Sequence, residues 1–283
     1  MTDTITSLPS ILVFDSGAGG LTIAKEILSL IPACSVILAT DRDYFPYGTK
    51  DDAALTQRIV KQLEALVEAH SPALVVVACN TASTLALDTL RREFSCPFVG
   101  VVPAIKPAAL NSQSGVIGVL ATPATVKRPY THELISEFAH ECEVILLGSD
   151  FLVEAAEAKL AGKAIHIDTI SQELDPFLTH TNAAKMDTIV LACTHFPLLC
   201  EELTQWAAKL PQDIQWIDSG QAIARRVKHL LGEQVSLSQQ ALEQRDVENR
   251  NSRSSNMEVL NNRITFELQD SSLSGGYLEY LNS

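Results

Sequence analysis

Val75-Val76-Val77-Ala78-Cys79-Asn80-Thr81 and, much later, Ile189-Val190-Leu191-Ala192-Cys193-Thr194-His195 read alike. Each is an apolar run rich in β-branched residues, then Ala-Cys, then small polar residues suited to opening a helix. An apolar run without polar alternation is the pattern of a strand buried on both faces, as in a parallel sheet covered by helices. The two cysteines are 193 − 79 = 114 residues apart, about the size of one small α/β domain. The echo predicts a duplicated architecture: two α/β lobes, each placing a cysteine at the carboxyl end of a strand.

Working outward, the same alternation fills most of the chain. Strands are expected at Ser10–Phe14, Val36–Thr40, Leu74–Ala78, Phe98–Val102, Val116–Ala121, Glu143–Leu147, Thr188–Ala192 and Ile214–Ile217. Between them Leu21, Ala24, Ile27, Leu28 and Ile31 keep helical spacing, as do Leu55, Ile59, Leu63, Leu66 and Val67. A turn at Thr125–Lys127 is followed by Pro129, which opens a helix because its missing N–H costs nothing there. Residues 236–262 are polar and poor in periodic apolar positions, predicting an exposed connection, either open or carrying a frayed helix, before a last strand at Arg263–Leu268.

Composition narrows the function. Of 283 residues 46% are hydrophobic and 19% charged, which excludes a disordered or collagen-like chain. No apolar run approaches the roughly 18 residues that span a bilayer, and the first residues show no basic-then-apolar secretion signal, so a cytoplasmic protein is expected. With 34 acidic against 21 basic side chains the formal charge is −13. Arg91-Arg92 and Arg225-Arg226 read as solvated helix faces, and no basic cluster suggests nucleic acid. The six cysteines, 34, 79, 96, 142, 193 and 200, show no zinc spacing, and a metal is not expected. In a reducing compartment they stay thiols.

In open α/β sheets, ligands bind beyond the carboxyl ends of strands, where Cys79 and Cys193 both fall. A helix N-terminus there stabilises anions, so both thiols are expected to have a lowered pKa. The other four cysteines are assigned to packing. The first strand runs into Asp15-Ser16-Gly17-Ala18-Gly19-Gly20. A dinucleotide site with Asp41 or Asp43 on the ribose fails on spacing, because Thr22 stands where Gly or Ala is needed. Asp15 either caps the following helix or orients a thiol. Tyr44-Phe45-Pro46-Tyr47-Gly48-Thr49 is either a shaped loop over the cleft or an ordinary turn. Asn80, Thr81 and Thr194 offer neutral donors, and His195, two residues after Cys193, is a candidate acid–base partner.

At these residues the chain resembles the cofactor-independent aspartate/glutamate racemases. The matching segments are Phe14 to Gly20, Tyr47-Gly48, Ala78 to Ser83, Ala192 to Leu198 and Ile217-Asp218-Ser219. Cys193-Thr194-His195 points to the glutamate branch, since the aspartate branch usually carries Glu in place of His195. The resemblance implies an α/β fold of two doubly wound parallel-sheet lobes related by pseudosymmetry, with the active site in the cleft between them. The first lobe would comprise residues 1–100 plus 211–283, the second 101–210. Cys79 and Cys193 match the catalytic thiols, and Asp15 and His195 their acid–base assistants. Asp15, Ser16, Tyr47, Gly48, Asn80, Thr81, Thr194 and His195 match substrate-binding positions. Glu154 resembles a further assisting carboxylate beside the second thiol, with Glu157 the alternative and a plain helix surface a third reading. The implied activity is interconversion of L- and D-glutamate without any cofactor, supplying D-glutamate for peptidoglycan. The resemblance implies a homodimer, and some members are controlled by a cell-wall precursor bound away from the cleft. Another acidic or hydantoin-type substrate is the rival within this fold; a nucleotide-binding or regulatory protein is the rival outside it.

The implied chemistry has its own physical logic. Inverting a Cα centre without a cofactor requires a proton to leave one face and another to arrive on the opposite face. A thiolate and a thiol facing each other across the substrate do both, and exchange roles with the substrate's hand.

Overall fold

The computed structural model describes residues 8–248, 264–267 and 274–282. Among the described residues nine strands form: β1 (Ser10–Asp15), β2 (Ser35–Thr40), β3 (Leu74–Val77), β4 (Phe98–Gly100), β5 (Val116–Ala121), β6 (Glu143–Gly148), β7 (Thr188–Leu191), β8 (Gln215–Ile217) and β9 (Ile264–Glu267). Helices fill the intervals: α1 (Gly20–Leu30), α2 (Asp52–His70), α3 (Asn80–Glu93), α4 (Ile105–Asn111), α5 (Pro123–Lys127) and α6 (Pro129–Phe138) come first. They are followed by α7 (Phe151–Leu160), α8 (Ile167–Leu174), α9 (Cys200–Ala207), α10 (Gly220–Glu248) and α11 (Ser274–Asn282).

The strands make two sheets in which all the pairings are parallel, ordered β4-β3-β1-β2-β9 and β6-β5-β7-β8. Reversed, the second order is β8-β7-β5-β6, the same winding as β4-β3-β1-β2. The strands before Cys79 and Cys193, β3 and β7, are therefore topological equivalents, as their matching sequences predict. The duplication extends from two heptapeptides to two whole sheets.

Successive side chains along a strand point to opposite faces, which explains the runs without polar alternation. Ile11, Val13, Leu74 and Val76 face a core shared with α1 and α10, while Leu12, Phe14, Val75 and Val77 face one shared with α2 and α3. In the second sheet Ile189 and Leu191 pack with Phe177 and Trp206, and Val190 packs on the other face with Ile117 and Val119. Every residue of β3, β5 and β7 is buried.

Local signals set the helix ends. Asp51 caps α2 by accepting from Ala53 N and Ala54 N at 3.1 and 3.0 Å. Pro129 opens α6, and Thr125–Lys127 belongs to the short α5 rather than to a plain turn. Gly232, at φ +23°, breaks the direction of α10 with a backbone conformation that favours glycine.

Two expectations need correction, and one is refined. The return to the first lobe at residue 210 comes too early, because β8 at Gln215–Ile217 pairs with β7 in the second sheet. Within the expected connection, residues 236–248 are the helical part, continuing α10; the rest of it, together with Arg263 and Leu268, lies outside the described residues. After Cys193 a 3-10 turn (Phe196–Leu199) precedes α9, so this cysteine does not sit directly on an α-helix N-terminus as Cys79 does. Among the described residues no helix is long and apolar enough to cross a membrane.

Candidate active site

The loops after β1 and β7 lock the lobes together. Thr194 Oγ1 donates to Asp15 Oδ2 at 2.9 Å, and Thr22 Oγ1 donates to the Thr194 carbonyl at 3.1 Å. Ala18 N donates to Glu157 Oε1 at 2.6 Å. Small residues make this approach possible: a Cβ on Gly17 would lie 2.3 Å from Glu157 Oε1, and one on Gly19 2.3 Å from Thr194 Oγ1. The glycines that imitate a dinucleotide fingerprint let one lobe's backbone touch the other's side chains.

A cavity of about 350 Å³, counting its open mouth, lies between the lobes. Cys79, the residue before α3, lines it from the first lobe; Cys193 lines it from the second. Ser16, Tyr47, Gly48, Asn80, Thr81 and His195 also reach it. Asp15 and Thr194 do not line it; they stand behind, joined to each other by the 2.9 Å bond. Asp15 does not cap α1: it accepts from Gly17 N at 3.2 Å and Ser16 Oγ at 3.3 Å. Tyr47 Oη donates to Asp41 Oδ2 at 2.8 Å, and Arg58 bonds both oxygens of the same carboxylate at 2.6 and 2.9 Å. The loop carrying Tyr47 and Gly48 is thereby anchored to α2.

On the Cys193 side, Sγ lies 3.9 Å from His195 Nδ1, and His195 Nε2 lies 2.9 Å from Glu157 Oε1. Burial works against a charge on His195, but its bonds to Cys193 and Glu157 prevail and push its pKa up to about 10. Burial likewise opposes the Glu157 charge, yet His195, Ala18 N–H and Arg42 hold it down at about 2. Each partner thus favours the charged form of the other, while Gly19 N–H also approaches Nε2 at 3.3 Å. Glu154 is corrected here: it is exposed on α7, and Glu157, one turn further along the same helix, makes the bond to His195.

On the Cys79 side Ser16 Oγ donates to Sγ at 3.8 Å. Burial, with the Asp15 carboxylate nearby, pushes the Cys79 thiol up to about 12. The expected lowering by a helix N-terminus is overturned at this residue, because dehydration and a neighbouring negative charge outweigh the partial charge of α3. Burial also raises Asp15 above the usual carboxylate range, against the pull of His195 and Thr194.

Sequence reading missed Thr122, Thr125 and Asp150, which also line the cavity. Thr81 Oγ1 lies 3.4 Å from both threonine hydroxyls, making a hydroxyl cluster across the two lobes. Thr122 and Asp150 follow β5 and β6, so the strand-end rule applied to every strand would have found them. Of the other cysteines Cys34 is buried with Sγ donating to the Ile31 carbonyl, Cys96 and Cys142 are half-buried, and Cys200 is exposed.

Comparison with known proteins agrees with this architecture. The family described as Asp/Glu/Hydantoin racemase matches residues 20–227. Glutamate racemase of Pectobacterium atrosepticum is 52% identical over 225 residues, covering 80% of this chain and 77% of that protein. The enzyme of the same name from Serratia proteamaculans is 50% identical over 229 residues, 81% of this chain and 78% of the other. The crystal structure of Escherichia coli glutamate racemase, in complex with L-glutamate and the activator UDP-MurNAc-ala, superposes with a TM-score of 0.75 at 51% identity, covering 80% of this chain and 83% of that one. Glutamate racemase isoform RacE1 of Bacillus anthracis gives 0.74 at 25% identity over 98% of this chain and 95% of that one. With two equivalent sheets, a cysteine after the same strand of each and a family match over most of its length, the chain belongs to the Asp/Glu/hydantoin racemase family and is, by that membership, an isomerase.

Proposed function

We propose that the protein is a glutamate racemase that inverts Cα by proton transfer between Cys79 and Cys193, with no cofactor. The observation that carries this reading is the pair of thiols lining one cavity from equivalent strands of opposite lobes. A thiolate on one side takes the Cα proton: an S–H bond forms, the C–H bond breaks, and the electron pair passes into the substrate carboxylate. The thiol on the other side then gives its proton to the opposite face of Cα and is left as thiolate. The enzyme ends in the protonation state that serves the reverse reaction, and exchange with solvent resets it.

The other residues fit this scheme. His195 stands beside Cys193 to receive or return its proton, with Glu157 holding the imidazole. Asp15 and Ser16 stand beside Cys79 in the corresponding role. The hydroxyls and N–H groups at the start of α3 suit a carboxylate, and the Thr81, Thr122 and Thr125 hydroxyls extend that surface. Asp150, the acidic side chain among the lining residues, suits the substrate ammonium. Closing the lobes around this surface excludes water, which strengthens each interaction with the developing carbanion.

In this reading the product is D-glutamate for peptidoglycan, made in the cytoplasm by a homodimer. A precursor of the UDP-MurNAc-ala kind would raise its activity, in keeping with the Escherichia coli relative.

The test is incubation of L- and D-glutamate in D₂O with the wild type, Cys79→Ala and Cys193→Ala, following optical rotation and Cα–D by NMR. The wild type should racemise both hands and label the product; each variant should lose racemisation at least about 10³-fold, the scale of losing an essential acid or base. Retained racemisation in both variants refutes the two-thiol scheme. Turnover of aspartate or a hydantoin in place of glutamate reassigns the substrate.

A further inference from the structure

Glu157 divides its two oxygens between the lobes' charges. Oε1 bonds His195 Nε2 at 2.9 Å and Ala18 N at 2.6 Å, whereas Oε2 accepts from Arg42 Nη1 at 2.8 Å. Arg42 belongs to a 3-10 turn (Arg42–Tyr44) after β2, in the first lobe, and does not line the cavity. Its Nη1 also donates to Tyr277 Oη at 3.3 Å. Tyr277 is buried on α11, its ring 6.1 Å from that of Phe266 on β9. The guanidinium lies 5.7 Å from the Phe45 ring centre, and that ring lies 5.9 Å from the imidazole of His195. A first-lobe cation, braced by the C-terminal helix, therefore reaches the carboxylate that grips the second-lobe histidine. The mechanism above makes no use of it.

His195 is faced by Cys193, Asp15 and Glu157; Glu157 is faced by His195, Arg42 and Tyr277. Without a cation on its second oxygen the carboxylate, still held by Ala18 N–H, would act more strongly on the imidazole and hold a proton there more firmly against return to Cys193. An arginine on the other oxygen draws off part of the carboxylate's field and fixes its orientation.

We propose that Arg42, oriented by Tyr277, is a positioning residue that moderates the grip of Glu157 on the His195 proton and so keeps the Cys193 side reversible. The inference rests on the proton-transfer role given above to Cys193 and His195. It is tested on the full-length chain by following the ¹⁵N imidazole resonances of His195 with pH, assigned with His195→Asn. The variants are Glu157→Gln, Arg42→Met, Arg42→Lys and Tyr277→Phe, and kcat and KM are measured for both glutamate hands.

Glu157→Gln should lower the His195 midpoint. Arg42→Met should raise it by about one pH unit, Tyr277→Phe should raise it less, and Arg42→Lys should return it toward the wild type. In Arg42→Met kcat should fall about tenfold, unequally for the two hands, with KM within about twofold. A merely structural arginine would change thermal stability and leave the midpoint in place. A midpoint unmoved in folded Arg42→Met, or moved downward as in Glu157→Gln, overturns the proposal. Tyr277→Phe, which removes one oxygen, decides the matter in the same way if Arg42→Met does not fold. A wild type inactive on glutamate would refute the proposed function, while the titration would still decide whether Arg42 governs His195.

Discussion

Replacing Gly19 by alanine tests whether the glycine loop is what brings the two lobes together around the cavity. The added Cβ would lie 2.3 Å from Thr194 Oγ1, 2.7 Å from His195 Nδ1 and 2.8 Å from Thr194 Cβ. Rotating the Thr194 side chain relieves the first contact but not the third, since Cβ is fixed by the backbone. That rotation would also break the 2.9 Å bond to Asp15. Ordinary contact begins at 3.4 Å, so the lobes must separate by up to about 3.4 − 2.3 = 1.1 Å. Overpacking of this kind costs about 1–3 kcal/mol, and leaving the buried Asp15 Oδ2 without its Thr194 donor adds about 1–3 kcal/mol. Misplacing reacting groups by about 1 Å costs on the order of 10²-fold in rate. Gly162→Ala is the control: its φ of +74° penalises any side chain, but nothing lies within 4 Å of its Cβ. That strain costs about 1–2 kcal/mol and should leave kcat alone. Urea unfolding and racemisation of both hands measure the two effects. Gly19→Ala with kcat within about threefold of the wild type, and no less stable than Gly162→Ala, would refute the reasoning.

Stability elsewhere should follow the local packing and charges. Trp206 fills the second-lobe core against Phe177 and donates from Nε1 to Asp175 at 3.1 Å. Trp206→Ala should cost about 3–5 kcal/mol in chemical denaturation, and a loss below about 1.5 kcal/mol would contradict this account. Asp187 accepts from Gln113 N, Ser114 N and Ser112 Oγ at 2.7–2.8 Å. Burial opposes its charge, but these bonds hold its pKa below the ordinary 3.8. A carboxylate lowered on folding stabilises fully above its unfolded value, and that contribution is lost as the pH falls through the lowered one. The Tm gap between the wild type and Asp187→Asn should therefore be widest near neutrality and shrink in acid; a gap that widens below pH 3.8 would contradict the assignment.

Much of the fold was legible because strand burial is written locally. Val75-Val76-Val77 and Ile189-Val190-Leu191 declare themselves by side-chain type, and their shared Ala-Cys endings mark equivalent strand ends before any contact is known. The positions of the eight expected strands and the placing of Cys79 and Cys193 after equivalent strands followed from neighbours along the chain. Tertiary structure decided the rest, since the decisive partners are far apart in sequence. Glu154 and Glu157 are three positions apart on one helix, and about 4.5 Å of axial rise with a 60° turn leaves the first in solvent while the second meets His195, 38 positions away. Arg42 meets Glu157 across 115 positions and Tyr277 across 235. The charge state of Cys79 depends on how completely both lobes remove water from it, a property of the whole packed assembly that no single residue or motif encodes.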